Sequence, residues 1–252
     1  MNERPAYIFL DWSGTINEIF TDDHLQKLIN VFKAIELKLN CLVKMVVVSG
    51  TSQKSAIEKY NKLKSEFERS GGLNFFGGFA FEYGGFFIDE YGTFKKVLKA
   101  HTKLGKKIND LSLKYGFEKS AEYTLYYNFE FEKVDENVLM FVKDCKRNFK
   151  NFDFEFYNDQ YGIGLDIKNK KLSKERFVKK FLKQNDAQFV IVGGDSVQDL
   201  RMLNIKSKVP HTFIGFKSSK ILENKNIILS DKNNVLGIID CLNKILESRL
   251  EV

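Results

Sequence analysis

Residues 7–15 read Tyr-Ile-Phe-Leu-Asp-Trp-Ser-Gly-Thr, and this stretch indicates the fold more clearly than any other. The short apolar run at 7–10 is typical of a buried strand, and Gly14 permits a tight turn soon after it. Asp11 is therefore expected at the carboxyl end of a strand, where open α/β sheets bind their ligands.

A second acidic pair follows another buried-strand pattern near the end of the chain. Residues 189–194 read Phe-Val-Ile-Val-Gly-Gly, and Asp195 and Asp199 come next, at a predicted helix start. Side chains spaced four apart share one face of a helix, and carboxylate oxygens suit magnesium. With Asp11, they suggest the two ends of a magnesium-assisted phosphoryl-transfer site.

The composition narrows the class of protein. The chain has 252 residues, 43% of them hydrophobic and 29% charged, which fits one large globular domain or a core with a smaller insert. The net charge of +7 could indicate a nucleic-acid partner. The lysines are spread along the chain without an Arg-rich block, so we expect solvating charge and no nucleic acid.

Cysteine and histidine usage argues against disulfide and zinc sites. The three cysteines, Cys41, Cys145 and Cys241, are widely spaced and form no CxxC motif, which is typical of reduced cytoplasmic thiols. The three histidines are equally scattered. The start of the chain carries no signal-peptide pattern, and no apolar stretch approaches about 18 residues. We expect a soluble cytoplasmic protein, a monomer or weak dimer, without a membrane partner.

The order of predicted elements divides the chain into two units. Strand and helix patterns alternate as βαβαβ at the start and return from about residue 172, which predicts a Rossmann-like parallel sheet. Between them, a Lys-rich helix is predicted from about Phe94 to Tyr115, followed by alternating strands typical of a sheet with one wet face. The fold class is therefore α/β, with a core domain of residues 1–93 and 163–252 and a smaller inserted α+β domain at 94–162.

Hydrolysis of a phosphate monoester needs a nucleophile, a divalent metal and fixed positive charge. Asp11 is the candidate nucleophile, which would form an aspartyl-phosphate. Ser49, Gly50 and Thr51 follow a second buried strand and precede a helix, where backbone N–H groups bind anions. Lys174 lies in the first turn of another helix, where its charge opposes the helix dipole unless an anion lies nearby. Each feature alone also fits an ordinary turn, cap or surface residue, so the inference depends on their order and shared location.

These segments, in this order, resemble the haloacid dehalogenase-like (HAD) hydrolase superfamily over nearly the whole chain. Residues 81–85 and 162–167, leading into 172–174, are similar to Cof-type, trehalose-phosphate and sucrose-phosphate phosphatases, in which the insert is a cap domain. The resemblance implies a magnesium-dependent sugar-phosphate phosphatase whose cap closes over a small phosphorylated substrate.

The resemblance also implies roles for individual residues. The implied catalytic residues are Asp11, Ser13, Ser49 and Lys174. The implied phosphate-binding residues are Ser49, Gly50, Thr51 and Lys174. The implied Mg²⁺ ligands are Asp11, Asp195, Asp199 and, through its backbone carbonyl, Ser13.

Ser13 departs from the pattern of these phosphatases, which usually have there a second aspartate that protonates the leaving group and then activates water. A serine hydroxyl titrates too high for that role, and loss of such a group typically costs about 10²–10⁴ in rate. The alternative function is therefore an attenuated relative that binds a phosphorylated ligand or a protein partner. A cap residue such as Glu118, Glu122 or Asp159 could also replace the missing acid.

Two further departures affect specificity. Thr51 occupies a position where the resemblance implies an arginine, and Tyr83 replaces a histidine common in the sugar phosphatases. A trehalose or sucrose substrate therefore does not follow from the sequence. We expect most of the aromatic residues in the alternating cap strands to lie in the cap's own core rather than to stack on a sugar.

Overall fold

Eight strands form one sheet and three form another in the computed structural model. The structure describes residues 4–21, 23–98, 105–120, 123–159, 162–204, 209–217, 221 and 226–248. The strands, in chain order, are β1 (Ala6–Leu10), β2 (Val43–Val48), β3 (Phe76–Phe81), β4 (Phe86–Asp89), β5 (Phe94–Lys96), β6 (Tyr127–Phe131), β7 (Phe152–Asp159), β8 (Gly162–Asn169), β9 (Phe189–Gly193), β10 (His211–Phe216) and β11 (Ile227–Ser230). The helices are α1 (His24–Leu39), α2 (Gln53–Arg69), α3 (Gly105–Lys114), α4 (Glu136–Asn148), α5 (Lys174–Gln184), α6 (Val197–Leu200) and α7 (Asn234–Glu247).

The larger sheet has the strand order β11-β10-β9-β1-β2-β3-β4-β5 and is parallel except for β4 and β5. Alternate residues of β1 enter different apolar clusters, as a strand buried on both faces requires. Ile8 packs with α1, α2 and α7 on one face, whereas Phe9 packs with α5 on the other. The site-bearing helices α2 and α5 therefore approach the strand ends from opposite faces of the sheet.

Strand β1 lies between β2 and β9, and this pairing aligns the functional segments. Leu10 is in register with Val47 on one side and Gly193 on the other. The loops that follow these three strands consequently leave the sheet side by side.

The smaller sheet, with order β6-β8-β7, is antiparallel, and with α3 and α4 it forms the unit that we call the cap. Its apolar face packs on the helices through residues that include Phe129, Phe141, Leu165 and Ile167. Its other face is polar because alternate residues point the opposite way. Asn128, Asp166 and Glu155 form one cross-strand row.

The predicted fold class is confirmed, but details near the insert differ. The helix predicted from about Phe94 begins at Gly105 among the described residues, and Phe94 instead starts β5. Its ring lies 5.7 Å from that of Phe81 and 5.2 Å from that of Phe86, so packing overrides the charged helical pattern. The expected boundaries place β5 in the insert and most of β8 in the core, whereas β5 pairs in the larger sheet and β8 in the smaller. The division into two domains remains a prediction.

No helix in the described part of the chain is long and apolar enough to cross a membrane.

Candidate active site

Three carboxylates from two neighbouring strand ends meet at the edge of the larger sheet. Asp11, Asp195 and Asp199 each offer a carboxylate oxygen, and these atoms lie within 4.8 Å of one another. The Asp11 backbone N–H donates to the carbonyl of Gly193 at 2.9 Å, which continues the pairing of β1 with β9 into the loop. Asp11 and Asp199 are both buried.

Lys174 joins two of these carboxylates. Its Nζ lies 2.6 Å from Asp11 Oδ1 and 2.7 Å from Asp199 Oδ1. Burial would lower the pKa of Lys174, but the negative charges of Asp11 and Asp199 raise it above its usual value. Burial raises the pKa of Asp11 to about 7, against the attraction of Lys174. The lysine is therefore held protonated among the acids.

Asp199 also caps the short helix α6. Ser196 Oγ accepts from the Asp199 backbone N–H, and Asp199 Oδ2 accepts from the Ser196 hydroxyl at 2.6 Å and its backbone N–H at 3.2 Å. Such a reciprocal capping box holds both side chains in place. Asp199 therefore both caps a helix, as an ordinary residue of this pattern would, and lies close to Asp11.

The donor set fits a hard divalent cation. Three carboxylates and one ammonium carry a net charge of −2, which one such ion balances, and all three acids offer the oxygen ligands that magnesium prefers. Gly14 keeps the approach open. Its φ is +69°, and a Cβ there would lie 2.1 Å from Asp195 Oδ2. Residue 14 can therefore hardly be anything but glycine.

The loop after β2 lies directly before α2, as predicted. The Ser49 backbone N–H bonds to the carbonyl of Ala80, and the Ser49 side chain accepts from the Thr51 backbone N–H at 3.2 Å. The Tyr126 hydroxyl donates to the Gly50 carbonyl at 2.8 Å, which ties the loop to the segment leading into the cap. The loop is thus fixed by both units.

A cleft of about 520 Å³ lies between the strand ends and the polar face of the cap. This size suits a small metabolite. Residues predicted for the site supply the core side of its lining, namely Asp11, Ser13, Ser49, Gly50, Thr51, Lys174 and Asp195. Asp199 is brought to the same cluster but lies beneath the lining, in contact with Lys174. The structure brings all the predicted site residues together, while their roles remain predictions.

The cap side of the cleft holds residues that the sequence analysis missed. Glu155 and Asp166 line it, whereas Glu118, one of the expected replacements for the missing acid, is exposed and does not. Glu122 and the side chain of Asp159 lie outside the described residues. The sequence signal that could have found Glu155 and Asp166 was the alternation of polar residues along β7 and β8, which places them on one face of the sheet.

Cap aromatics divide between the two faces of the small sheet. Phe129, Phe131 and Phe152 lie in the cap core, as expected for most of them. Tyr157 instead lines the cleft, and its hydroxyl accepts from Asn128 at 2.6 Å. The Tyr157 ring packs directly against Gly164, where a Cβ would lie 2.0 Å from the ring. Tyr123, Tyr126 and Phe156 also line the cleft.

A polar network connects the cap to the core beside the cleft. The Tyr83 hydroxyl donates to Asp166, which also accepts from Asn128 at 2.9 Å. The Nζ atom of Lys168 lies 3.6 Å from the Tyr83 ring centroid, and Lys168 forms an ion pair with Glu155. Burial raises the pKa of Asp166 despite these hydrogen bonds. The cap is therefore held against the core by directed contacts.

The turn that presents Tyr83 is strained. Glu82 and Tyr83 have φ values of +47° and +55°, which bulky residues rarely adopt. The Glu82 carboxylate accepts from the backbone N–H groups of Thr124 at 3.0 Å and Leu125 at 2.6 Å. Such conformations persist only when surrounding contacts impose them, and here the contacts come from the segment entering the cap.

Solved structures share this architecture at low sequence identity. A HAD-like hydrolase from Bacteroides thetaiotaomicron is 12% identical, with a TM-score of 0.67 over 96% of this chain and 100% of its own. Trehalose-6-phosphate phosphatase from Aspergillus fumigatus is 14% identical, with a TM-score of 0.60 over 98% of this chain and 94% of its own. Sucrose-phosphatase from Synechocystis, in complex with sucrose and phosphate, is 10% identical, with a TM-score of 0.61 over 97% and 98% of the two chains.

No protein-family model and no curated protein sequence matches the chain. The structural matches confirm the resemblance inferred from the sequence at the level of the fold. The chain has the fold of the HAD-like hydrolases.

Proposed function

We propose that this protein is a magnesium-dependent phosphatase of a small phosphorylated metabolite, with a sugar phosphate as the favoured substrate. The observation that carries the proposal is the cluster of Asp11, Asp195, Asp199 and Lys174 at the floor of the cleft, in which Asp11 and Asp199 are buried. Its net charge of −2 comes from three acids and one lysine, and the cleft above it is lined with polar groups from both units.

In the proposed mechanism, Asp11 is the nucleophile. One of its carboxylate oxygens forms a bond to phosphorus while the bond from phosphorus to the substrate oxygen breaks, and that oxygen leaves with a proton taken from solvent or a nearby acid. Water then attacks the aspartyl-phosphate, releasing orthophosphate and restoring Asp11. Lys174 orients Asp11 and donates to the phosphoryl oxygens, with the Ser49 hydroxyl and the Gly50 backbone N–H on the other side, because the N–H groups of Ser49 and Thr51 are already bonded within the loop and to Ala80.

Asp11, Asp195, Asp199 and the Ser13 carbonyl would hold the metal. Bound magnesium supplies charge stabilisation to the phosphoryl group in the transition state. Asp199 has a second role in this proposal, because its contact with Lys174 keeps the ammonium beside Asp11. Asp199 thus links the metal ligands to the phosphate-binding cation.

The cap supports a polar leaving group. Glu155, Tyr157 and Asp166 face the cleft and offer hydrogen-bonding groups of the kind that sugar hydroxyls need. The trehalose-6-phosphate phosphatase and the sucrose-phosphatase among the structural matches support a sugar phosphate in the same sense. Neither disaccharide follows from this comparison.

Ser13 favours a second candidate function. It lies exposed at the cleft, where its hydroxyl cannot replace a carboxyl group as general acid. An attenuated relative that binds a phosphorylated ligand or a protein partner without rapid turnover would keep the same charge cluster.

Phosphate release from a panel of sugar phosphates and nucleotides, with and without magnesium, tests the proposal. Asp11→Asn is the inactive variant, and Asp110→Asn, at an exposed position on α3, is the matched control. We expect magnesium-dependent release that Asp11→Asn abolishes and Asp110→Asn leaves intact. Full activity in Asp11→Asn would overturn the mechanism. A folded protein that binds a phosphorylated ligand but releases no phosphate would favour the second candidate.

A further inference from the structure

Lys59 on helix α2 reaches the loop that precedes its own helix. Its Nζ lies 3.2 Å from Thr51 Oγ1 and 5.4 Å from the centroid of the Trp12 ring. Thr51 lines the cleft, and Trp12 directly follows Asp11 in the chain. The ammonium group is therefore positioned beside the phosphate-binding loop by two groups that are themselves fixed.

Lys59 differs from the other half-buried or buried lysines near the site. Lys168 and Lys174 each form an ion pair with a carboxylate, whereas Lys59 forms none with the residues that the structure describes. Burial lowers its pKa, and the negative charge of Asp11 opposes that shift. The charges of Asp11 and Glu58 act on Lys59 without contacting it, and a partly desolvated ammonium group with no carboxylate in contact is a favourable place for an anion.

The charges of the site leave a bound phosphate monoester short of positive charge, which Lys59 can supply. Three carboxylates and Lys174 carry −3 and +1, and a bound divalent cation brings the total to zero. A phosphate monoester then adds two negative charges that nothing in this cluster balances. Lys174 is already shared between Asp11 and Asp199. A second lysine beside the phosphate loop would offset part of that excess.

We propose that Lys59 is a second cation of the phosphoryl site, which binds the phosphoryl oxygens of the substrate and of free orthophosphate. The inference rests on the proposed function for its substrate. Lys59 and Lys174 belong to α2 and α5, which pack on opposite faces of the sheet, so the two ammonium groups reach the strand ends from different sides. In this proposal the phosphoryl group binds between the two ammonium groups, and Lys59, which lies behind Thr51 in the cleft lining, is held there by its 3.2 Å contact with Thr51 Oγ1.

The competing role is structural, in which the aliphatic stem of Lys59 merely covers Trp12. Lys59→Met retains an unbranched apolar side chain over Trp12 and removes the charge, whereas Lys59→Arg retains a cation. Lys62→Met is the matched control, because Lys62 lies on the same helix with its Nζ 4.1 Å from the Phe20 ring. A purely structural role would leave both the thermal midpoint and the phosphate affinity of Lys59→Met close to those of the parent.

The test measures orthophosphate affinity by titration calorimetry on the full chain with saturating magnesium, together with KM and kcat on the best substrate of the panel. We expect Lys59→Met to weaken phosphate binding and raise KM by about 10-fold or more, the effect of losing one charge-assisted hydrogen bond. Lys59→Arg should stay within about 3-fold, and Lys62→Met should match the parent.

The two proposals fail in different ways. Phosphate affinity and KM unchanged in Lys59→Met would overturn the role of Lys59 while an active parent upholds the phosphatase. A parent that binds phosphate without hydrolysing any substrate would remove the phosphatase, and the binding measurement would still decide Lys59. A parent that neither binds phosphate nor hydrolyses a substrate would overturn both.

Discussion

The two walls of the cleft are built on opposite plans. The core wall comes from the ends of adjacent parallel strands, and its charged groups contact one another directly through Lys174. The cap wall comes from alternate residues along antiparallel strands, where Asp166 and Glu155 are cross-strand partners, and Tyr83 binds Asp166 while Lys168 binds Glu155. The core wall thus concentrates charge at one point, whereas the cap wall spreads hydrogen-bonding groups over a surface. The first arrangement suits reaction chemistry and the second suits recognition.

The largest expected effect tests the density of charge in the core wall. Lys174→Met leaves Asp11 and Asp199 buried without their shared cation, which should lower the free energy of unfolding by about 3–5 kcal/mol and abolish turnover. Urea unfolding in the absence of magnesium measures the loss. Lys179→Met is the control on the same helix, because its ion pair with Glu175 is partly exposed and worth about 1 kcal/mol or less. If both variants lose the same free energy of unfolding, the ion pairs of Lys174 are no stronger than an exposed pair.

Ser13→Asp tests whether the core wall lacks only a general acid. A carboxyl group at this position should raise kcat by about 10²-fold, the lower end of the usual contribution of such a group. Ser13→Asn is the control, since it adds similar volume without a titratable group. If Glu155→Gln instead removes the parental activity while Ser13→Asp changes nothing, the cap wall supplies the acid and the division of labour is wrong.

Magnesium should stabilise the core wall selectively. At about 100 times its dissociation constant, a ligand that binds only the native state adds about 2.7 kcal/mol to the free energy of unfolding. We expect magnesium to raise the thermal midpoint of the parent and of Asp166→Asn, but not that of Asp195→Asn. If magnesium raises the thermal midpoint of Asp195→Asn as much as that of the parent, Asp195 is not a ligand of the metal.

The smallest effect concerns the cap wall and appears as a pH dependence. Burial raises the pKa of Asp166 in the native state above its value of about 3.9 in the unfolded chain. As pH rises from about 4, the unfolded state therefore loses its proton first, and the free energy of unfolding falls until the native carboxyl ionises as well. The slope cannot exceed about 1.4 kcal/mol per pH unit.

Asp166→Asn should make this fall shallower by the share of Asp166, because an amide keeps an oxygen for the Tyr83 hydroxyl without titrating, while the share of Asp11, whose pKa burial also raises, persists. Urea midpoints between pH 4 and pH 7 provide the measurement. Asp110→Asn, at an exposed position on the cap helix α3, should follow the parent. If the urea midpoints of the parent and of Asp166→Asn depend on pH in the same way, ionisation of Asp166 does not destabilise the native state.

The same contrast explains how much the sequence predicted. Asp11, Ser49 and Asp195 could be found because each follows a strongly apolar strand, and parallel strands deliver their ends to one edge. Glu155 and Asp166 were missed because alternation shows which residues share a face but not which face the core covers. Lys59 was missed for a related reason, since it lies on a charged helix and only the folded loop brings Thr51 to it. Phe94 shows the limit of periodicity, because ring packing on Phe81 and Phe86 decided its conformation.

Strand β8 ends the cap and leads almost at once to the edge of the larger sheet that carries Asp11 and Asp195. Only residues 169–173 separate Lys168, in the cap network, from Lys174, and a segment of that length spans no more than about 20 Å. The turn is fixed further by Leu172, which is buried and bonds through its backbone N–H to the Asn169 carbonyl at 2.7 Å. A chimaera that received its cap from a relative would therefore also receive a new alignment of Lys174. If Asp11 is the nucleophile, as proposed, an exchange of the cap changes recognition and also shifts the lysine that contacts this nucleophile.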